Sequence, residues 1–418
     1  MIIKSICARQ ILDSRGNPTV EAEVTLEDGT SHTASVPSGA SRGEHEAHEL
    51  RDGDSFRYAG RGVLRAVSSV ENIIAPALVG REVSDVSAHD AIMIALDGCT
   101  NKSNLGANAI LSVSFALSRA AAHSLGVPLY RFIGGAHRQR FPIPMMNSLN
   151  GCAHSMNNID IQEFMIVPHG ADSFSEAVRW GAEIYSSLKK LLESKNLYTG
   201  VGDEGGFAPM RPSDRDALSL ITEAIRTAGY KVGDEVSLAL DVAASEWYDG
   251  GVYKLPKRGV TMSADELADY IFELCTDYPI ISVEDGMAED DISGWQRLGE
   301  KFKSRKTLLV GDDLFVTNTD RIRMGIEKGI ANSVLIKPNQ IGTLTETAEA
   351  IALAKEHGYK TIMSHRSGET EDAIIADLAV GYGTEFIKTG APARSERVAK
   401  YNRLMKIEKE IFSPEYGF

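Results

Sequence analysis

Apolar and polar side chains alternate with period two through VEAEVTLEDGT (residues 20–30), and the preceding IIKSICARQIL (2–12) has strand character too. The turn sequence DSRGNPT separates the two runs, and the second closes on Asp28-Gly29, so the chain should open with a strand, a turn and a strand. From about residue 60 the pattern becomes helical, in GVLRAVSSVENIIAPALVG and then NLGANAILSVSFALSRAAAHSLG. Gly80 and Gly126 stand where C-terminal caps of those helices belong. Strands followed by helices predict a compact α+β domain. The segment GGAHRQRFPIPMMN, with two glycines and two prolines, reads as the linker, which places an N-terminal domain over 1–138 and a second domain over 139–418.

Beyond the linker one architecture recurs without sequence repetition. Short apolar runs each end in a polar or charged residue: LALDVA, PIISVED, TLLVGDD, SVLIKPNQ, TIMSHRS and EFIKTG. Helical stretches lie between them. Ser263 with Glu266, Thr317 with Asp320 and Thr343 with Glu346 have the spacing of N-terminal caps, and Gly329 and Gly358 mark helix ends. The run-end residues Asp241, Glu284, Asp312, Lys337, His365 and Lys388 are 43, 28, 25, 28 and 23 positions apart. Four of those gaps fit one strand, one helix and two short loops; the longest also accommodates a hairpin at WYDGGVYKL. Serial βα units with continuous apolar strands predict a parallel sheet covered by helices. Polar residues ending many successive strands favour a closed (β/α)8 barrel. An open doubly wound sheet would gather them at one switch point behind a glycine-rich first loop, which is absent.

Composition narrows the class of protein. The 418 residues are 43% hydrophobic and 24% charged, ordinary for a globular chain. A net charge of −14 without a basic block argues against nucleic acid or an anionic membrane as partner. The four cysteines show no metal-ligand or redox spacing. With no leader pattern and no apolar run near the roughly 18 residues of a membrane span, the expectation is a soluble cytoplasmic protein.

Asp241, Glu284 and Asp312 end three consecutive runs and should converge at the barrel mouth. One such acid is as readily a solvated residue or a helix cap as a ligand, but three in register repel one another unless a cation neutralises them. Oxygen-only ligation suits Mg²⁺ or Mn²⁺ better than zinc. Lys337, His365 and Lys388 continue the same rim. A lysine beside a divalent cation has its ammonium form disfavoured and can serve as a base, and spacing treats Lys337 and Lys388 alike in this respect. Arg366, next to His365, offers a guanidinium suited to phosphate or carboxylate. Glu204 sits in the glycine-rich turn GVGDEGGFAP, Glu163 opens QEFMIVP beside Gln162, and His154 lies in the polar loop NGCAHSMNN. Read singly, Glu204 is as readily a turn acid and His154 a surface histidine. Acids holding a cation, with a lysine base and an opposed acid, suit removal of a proton next to a carboxylate.

The chain resembles the enolase family along essentially its whole length. The motifs that carry the resemblance include DSRGNPTVE, VPSGAS, NLGANAILSVS, QEFMIVP, GDEGGFAP, SVEDGMAEDD, VGDDLFVTN, LIKPNQIGT, SHRSGETEDAIIADLAVG and IKTGAPARSERVAKYN, in order. The resemblance implies an N-terminal α+β domain, a barrel whose second strand is antiparallel, and homo-oligomers built from dimers. It implies the reversible dehydration of 2-phosphoglycerate to phosphoenolpyruvate, a step of glycolysis and gluconeogenesis, with two Mg²⁺ per site and Mn²⁺ as a substitute. By motif, Lys337 would abstract the C2 proton and Glu204 would protonate the departing 3-hydroxyl, with Glu163 assisting. Asp241, Glu284 and Asp312 would hold one Mg²⁺, and Ser41 would join the second beside the phosphate. Arg366 and Ser367 would hold the phosphate and Lys388 the carboxylate side; Gln162, His154 and His365 would complete the substrate pocket. The loop GCAHSMNN and Arg42 depart from the usual pattern without removing a residue the chemistry requires.

Two other readings compete. A sister lyase or racemase acting on a non-phosphorylated carboxylate would leave Arg366 unpaired. A catalytically silent binding protein would retain a buried charge cluster that only costs stability.

Overall fold

The structure, a computed structural model, describes residues 1–40, 43–136, 139–151, 158–210 and 213–417. The chain opens with an antiparallel sheet of Ile3–Leu12, Pro18–Leu26 and Ser31–Ser35, with Ala8 opposite Ala22 and Ala22 opposite Ala34. Period-two alternation sends Val20, Ala22, Val24 and Leu26 to the covered face, and none of them is exposed. The helix Ala107–Ser124 lies against that face. It is rich in alanine and serine and buried on nearly every side; Ser112 and Ser118 satisfy their hydroxyls on the carbonyls of Ala109 and Phe115. The helix read over 62–80 is interrupted. Leu64–Ser69 passes through one wider turn at Val70–Ile74 into Ala75–Leu78, because Pro76 lacks an N–H and clashes with the carbonyl four residues before it.

Eight strands close into a barrel in chain order: Ile143–Asn150, Glu163–Val167, Ser237–Asp241, Ile280–Glu284, Leu308–Gly311, Ser333–Ile336, Lys360–Ser364 and Phe386–Lys388. The second strand is antiparallel to both neighbours and the other pairings are parallel. Its first residue, Glu163, therefore sits opposite Asp241 on the rim where the other strands end.

The same alternation fills the barrel and arms its mouth. Ile143, Met145, Met165, Val167, Ala239, Val310, Leu335 and Ile362 form an apolar cluster separate from the main core under the helices. Two positions further toward the mouth on those strands come Asn147, Glu163, Asp241, Asp312, Lys337 and Ser364. The interior is thus a plugged core with a charged top layer.

Two further local expectations are corrected. Residues 143–147 of the supposed linker form most of the first barrel strand. Pro144 is tolerated there because pairing with the second strand begins only at Met146, so no ladder N–H is demanded of it. Thr317 does not cap the next helix; Asn318 does, accepting from the N–H groups of Asp320 and Arg321. Ser263 and Thr343 do cap their helices, and WYDGGVYKL does form a hairpin, Tyr248–Asp249 with Val252–Leu255. Among the described residues no helix is long and apolar enough to cross a membrane.

Candidate active site

The rim residues surround a narrow cleft lined by Gln162, Glu163, Glu204, Asp241, Asp312, Lys337, His365, Arg366, Ser367 and Lys388, with Gly39, Asp313 and Ser364. At its floor Lys388, 3% exposed, places Nζ 3.0 Å from carboxylate oxygens of Asp241, Glu163 and Glu284. Three neighbouring strand ends thus share one ammonium. Burial draws the Lys388 pKa down, but Asp241, Glu163 and Glu284 outweigh it and raise it well above the ordinary value. Gln162 donates its amide to Asp241 at 3.1 Å.

On the next arc of the rim Lys337 pairs with Asp312. Gln340 donates to the other Asp312 oxygen at 2.9 Å, and its own carbonyl accepts from Thr317, whose hydroxyl also accepts the Lys337 N–H. The hydroxyl that fails to cap a helix therefore ties two strand ends together. Asp285 accepts the N–H groups of Asp312 and Asp313 at 2.9 and 2.8 Å, clamping the turn that presents Asp312. Burial pulls the Lys337 ammonium down; Asp312 overrides it and holds the group above its usual range. The expectation of a depressed lysine thus assumes a cation; beside bare carboxylates both lysines stay charged.

Across the mouth, the loop between the second and third strands delivers Glu204. Asn147 bridges two acids, donating 3.0 Å to Glu163 and 3.1 Å to Glu204. Gly206 permits this: a Cβ there would lie 2.3 Å from the Asn147 side-chain oxygen. His365 places Nε2 3.5 Å from Glu204. Burial and then Glu204 push the Glu163 carboxyl well above the carboxylate range.

Arg366, also buried, is held bidentately by Glu46 of the N-terminal domain at 2.9 and 3.0 Å and donates to Asn339. Ser367 accepts the Ala40 N–H at 2.6 Å, while Ser38 and Gly368 exchange backbone bonds. A Cβ on Gly368 would lie 2.6 Å from the Ser38 carbonyl, so that approach needs glycine. Ser41 and His154 lie outside the described residues.

The donor set fits a hard divalent cation. Burial and Asp241 push the Glu284 carboxyl well up even with Lys388 beside it, so one shared ammonium does not offset the crowded acids, and among the described residues the buried Gln162 and Asn147 side-chain oxygens have no hydrogen-bond partner. Asp285, Asp312 and Asp313 also offer oxygens within 4.8 Å of one another. Asp285 already spends both oxygens on backbone N–H groups, and burial and then Asp312 push Asp313 up to about 8. Asp241 and Glu284 end neighbouring strands and share the Lys388 ammonium, while Asp312, just past the end of the next strand, pairs with Lys337.

Sequence reasoning did not assign Asn147, Glu46, Gln340, Asp285 or Arg397. Asn147 was within reach, since it stands two positions beyond Met145 on an inward-facing series; the others act through tertiary contacts.

A barrel with an antiparallel second strand, capped by an α+β domain and carrying acids and lysines on one rim, is the architecture of an enzyme that builds its site at the barrel mouth. Residues 3–133 match the family model described as enolase, N-terminal domain, and residues 138–416 match enolase, C-terminal TIM barrel domain. The chain belongs to the enolase family.

Proposed function

We propose that the chain is an Mg²⁺-dependent hydro-lyase interconverting 2-phosphoglycerate and phosphoenolpyruvate, the step shared by glycolysis and gluconeogenesis. The observation that carries this reading is that Lys337 and Glu204, from arcs nearly half a barrel apart, line one cleft with a buried guanidinium beside them.

Lys337 takes the proton from C2. It becomes basic once the charge of Asp312 is engaged elsewhere, because burial, Arg366 and Lys388 then act to depress its ammonium form. Glu204 protonates the leaving 3-hydroxyl, its carboxylate oriented by Asn147 and linked through that amide to Glu163. Asp241, Glu284 and Asp312 would hold one Mg²⁺, and Ser41 would serve a second beside the phosphate; Mn²⁺ would substitute. Mg²⁺ supplies the positive charge that makes a proton next to a carboxylate acidic enough to remove. Lys388 neutralises the carboxylate side of the substrate. Arg366 exchanges Glu46 for the phosphate, a planar fork moving between two anions of similar geometry, and Ser367 adds a hydroxyl. Gln162, His154 and His365 complete the pocket. The enzyme works in the cytoplasm as a dimer-based homo-oligomer.

The test follows the ultraviolet absorbance of phosphoenolpyruvate as it forms from 2-phosphoglycerate, first with Mg²⁺ and then with EDTA. Formation that EDTA abolishes is expected. A folded protein with no product in Mg²⁺ would return the choice to the sister lyase or the binding protein.

A further inference from the structure

Arg397 lies on the helix Ser395–Glu410, and its side chain is fully buried. Nη1 lies 2.6 Å from Nδ1 of His365 and donates to the Arg366 carbonyl at 2.5 Å. Nη2 donates to the carbonyls of Ser367 at 2.6 Å and Asp203 at 3.1 Å. A single cation therefore joins the loop that carries Glu204 to the loop that carries Arg366 and Ser367. Gly390 makes the room, with φ of +82° and a notional Cβ only 2.7 Å from Arg397 Cδ and 2.9 Å from the Glu204 carbonyl.

The contact with His365 has a chemical consequence. A guanidinium has five N–H donors, no acceptor and no accessible neutral form. Nδ1 facing it must therefore be an acceptor, which leaves the proton of a neutral imidazole on Nε2. A doubly protonated ring would set donor against donor beside a fixed positive charge. Nε2 in turn lies 3.5 Å from Oε2 of Glu204, the same oxygen that accepts from Asn147. Burial, opposed by Glu204 and reinforced by Arg397, takes His365 down to about 3, in the direction the geometry requires.

We propose that Arg397 is a positioning residue that locks His365 as a neutral imidazole protonated on Nε2, so that the ring presents a donor to Glu204 in every state of the cycle. The importance for turnover rests on the reading of Glu204 as the acid; the tautomer itself does not. Asn147 donates to Oε2, and Nε2, buried 3.5 Å from the same oxygen and without a hydrogen-bond partner among the described residues, is poised to donate to it as well, so Arg397 sets the donor that faces Glu204 without touching the reacting atoms.

The test is nitrogen-15 NMR of the full-length, Mg²⁺-loaded protein labelled at histidine, with the His365 signals identified by their loss in His365→Gln. Between pH 6 and 8 the expected spectrum shows Nδ1 bare and Nε2 protonated, with no titration. A proton on Nδ1, or an imidazolium in that range, overturns the proposal. In Arg397→Met the ring should gain access to the other tautomer or to protonation, and kcat should fall about 10–100-fold, the usual scale for losing a group that orients an active histidine, with KM nearly unchanged. A folded Arg397→Met protein with the wild-type tautomer and wild-type kcat also overturns it. If that variant does not fold, the wild-type spectrum decides. If the wild-type protein shows no turnover of 2-phosphoglycerate, the proposed reaction fails while the spectrum still judges the tautomer.

Discussion

Lys337 and Lys388 are indistinguishable by spacing, and the structure separates them. Lys388 lies among three carboxylates, whereas Lys337 has one carboxylate partner and is 13% exposed at its side chain. Losing Lys388 should therefore strand acids, and losing Lys337 should remove a reagent. Lys337→Ala is expected to cut kcat by about 10²–10⁴-fold, the range for a general base, while the unfolding midpoint in urea stays close to wild type; substantial residual turnover would sink the assignment. Lys388→Met should cost about 3–5 kcal/mol in metal-free urea unfolding, as uncompensated buried charge does, and added Mg²⁺ should recover part of the loss. No recovery would place the cation elsewhere.

At the scale of elements, the rim is built by strand ends plus the turns that follow them, and the turns carry the information that spacing lacks. The turn after Gly311 presents Asp312 because Asp285, one residue past the preceding strand, accepts two of its N–H groups. Removing an acid from a crowded acidic cluster would stabilise the metal-free protein if that acid were only a ligand. As a clamp, Asp285 has the opposite sign: Asp285→Ala should destabilise the protein in EDTA by about 2–4 kcal/mol, since two buried N–H groups lose their acceptor. Denaturant unfolding in EDTA reads the sign directly. The same scale explains the misread linker and cap. Pro142 and Pro144 are turn signals locally, yet Ile143 is needed as a barrel plug; Thr317 has cap chemistry, yet its φ of 55° and its bonds to Lys337 and Gln340 make it a strut.

For the whole molecule, the two domains meet through buried charge and polar contacts. Arg119 forks onto Asp372, Lys102 reaches Glu346 at 2.8 Å, and Glu46 holds Arg366. Asp90 accepts both the N–H and the hydroxyl of Thr345, at the start of a barrel helix. Burial pushes its carboxyl up to about 6 despite those bonds. A raised acid favours the folded state when protonated, so its contribution is fullest below the unfolded value of 3.8 and is lost as pH rises toward 6. The shift corresponds to about 3 kcal/mol between those limits. Asp90→Asn, which cannot titrate, should gain about that much relative to wild type between pH 4 and pH 7 in urea unfolding; a constant difference would show that Asp90 does not titrate with folding. The sequence by itself determined the class of fold, the rim acids Asp241, Glu284 and Asp312, and the basic residues Lys337, His365 and Lys388. Strand period and strand ends are local properties, and a barrel converts them directly into a shared mouth. Only the tertiary structure decided that Asn147 bridges Glu163 and Glu204, that Glu46 crosses from the other domain to Arg366, and that Arg397 fixes His365. Those contacts join residues 16 to 320 positions apart, so they exist only once the strands have closed and the domains have docked.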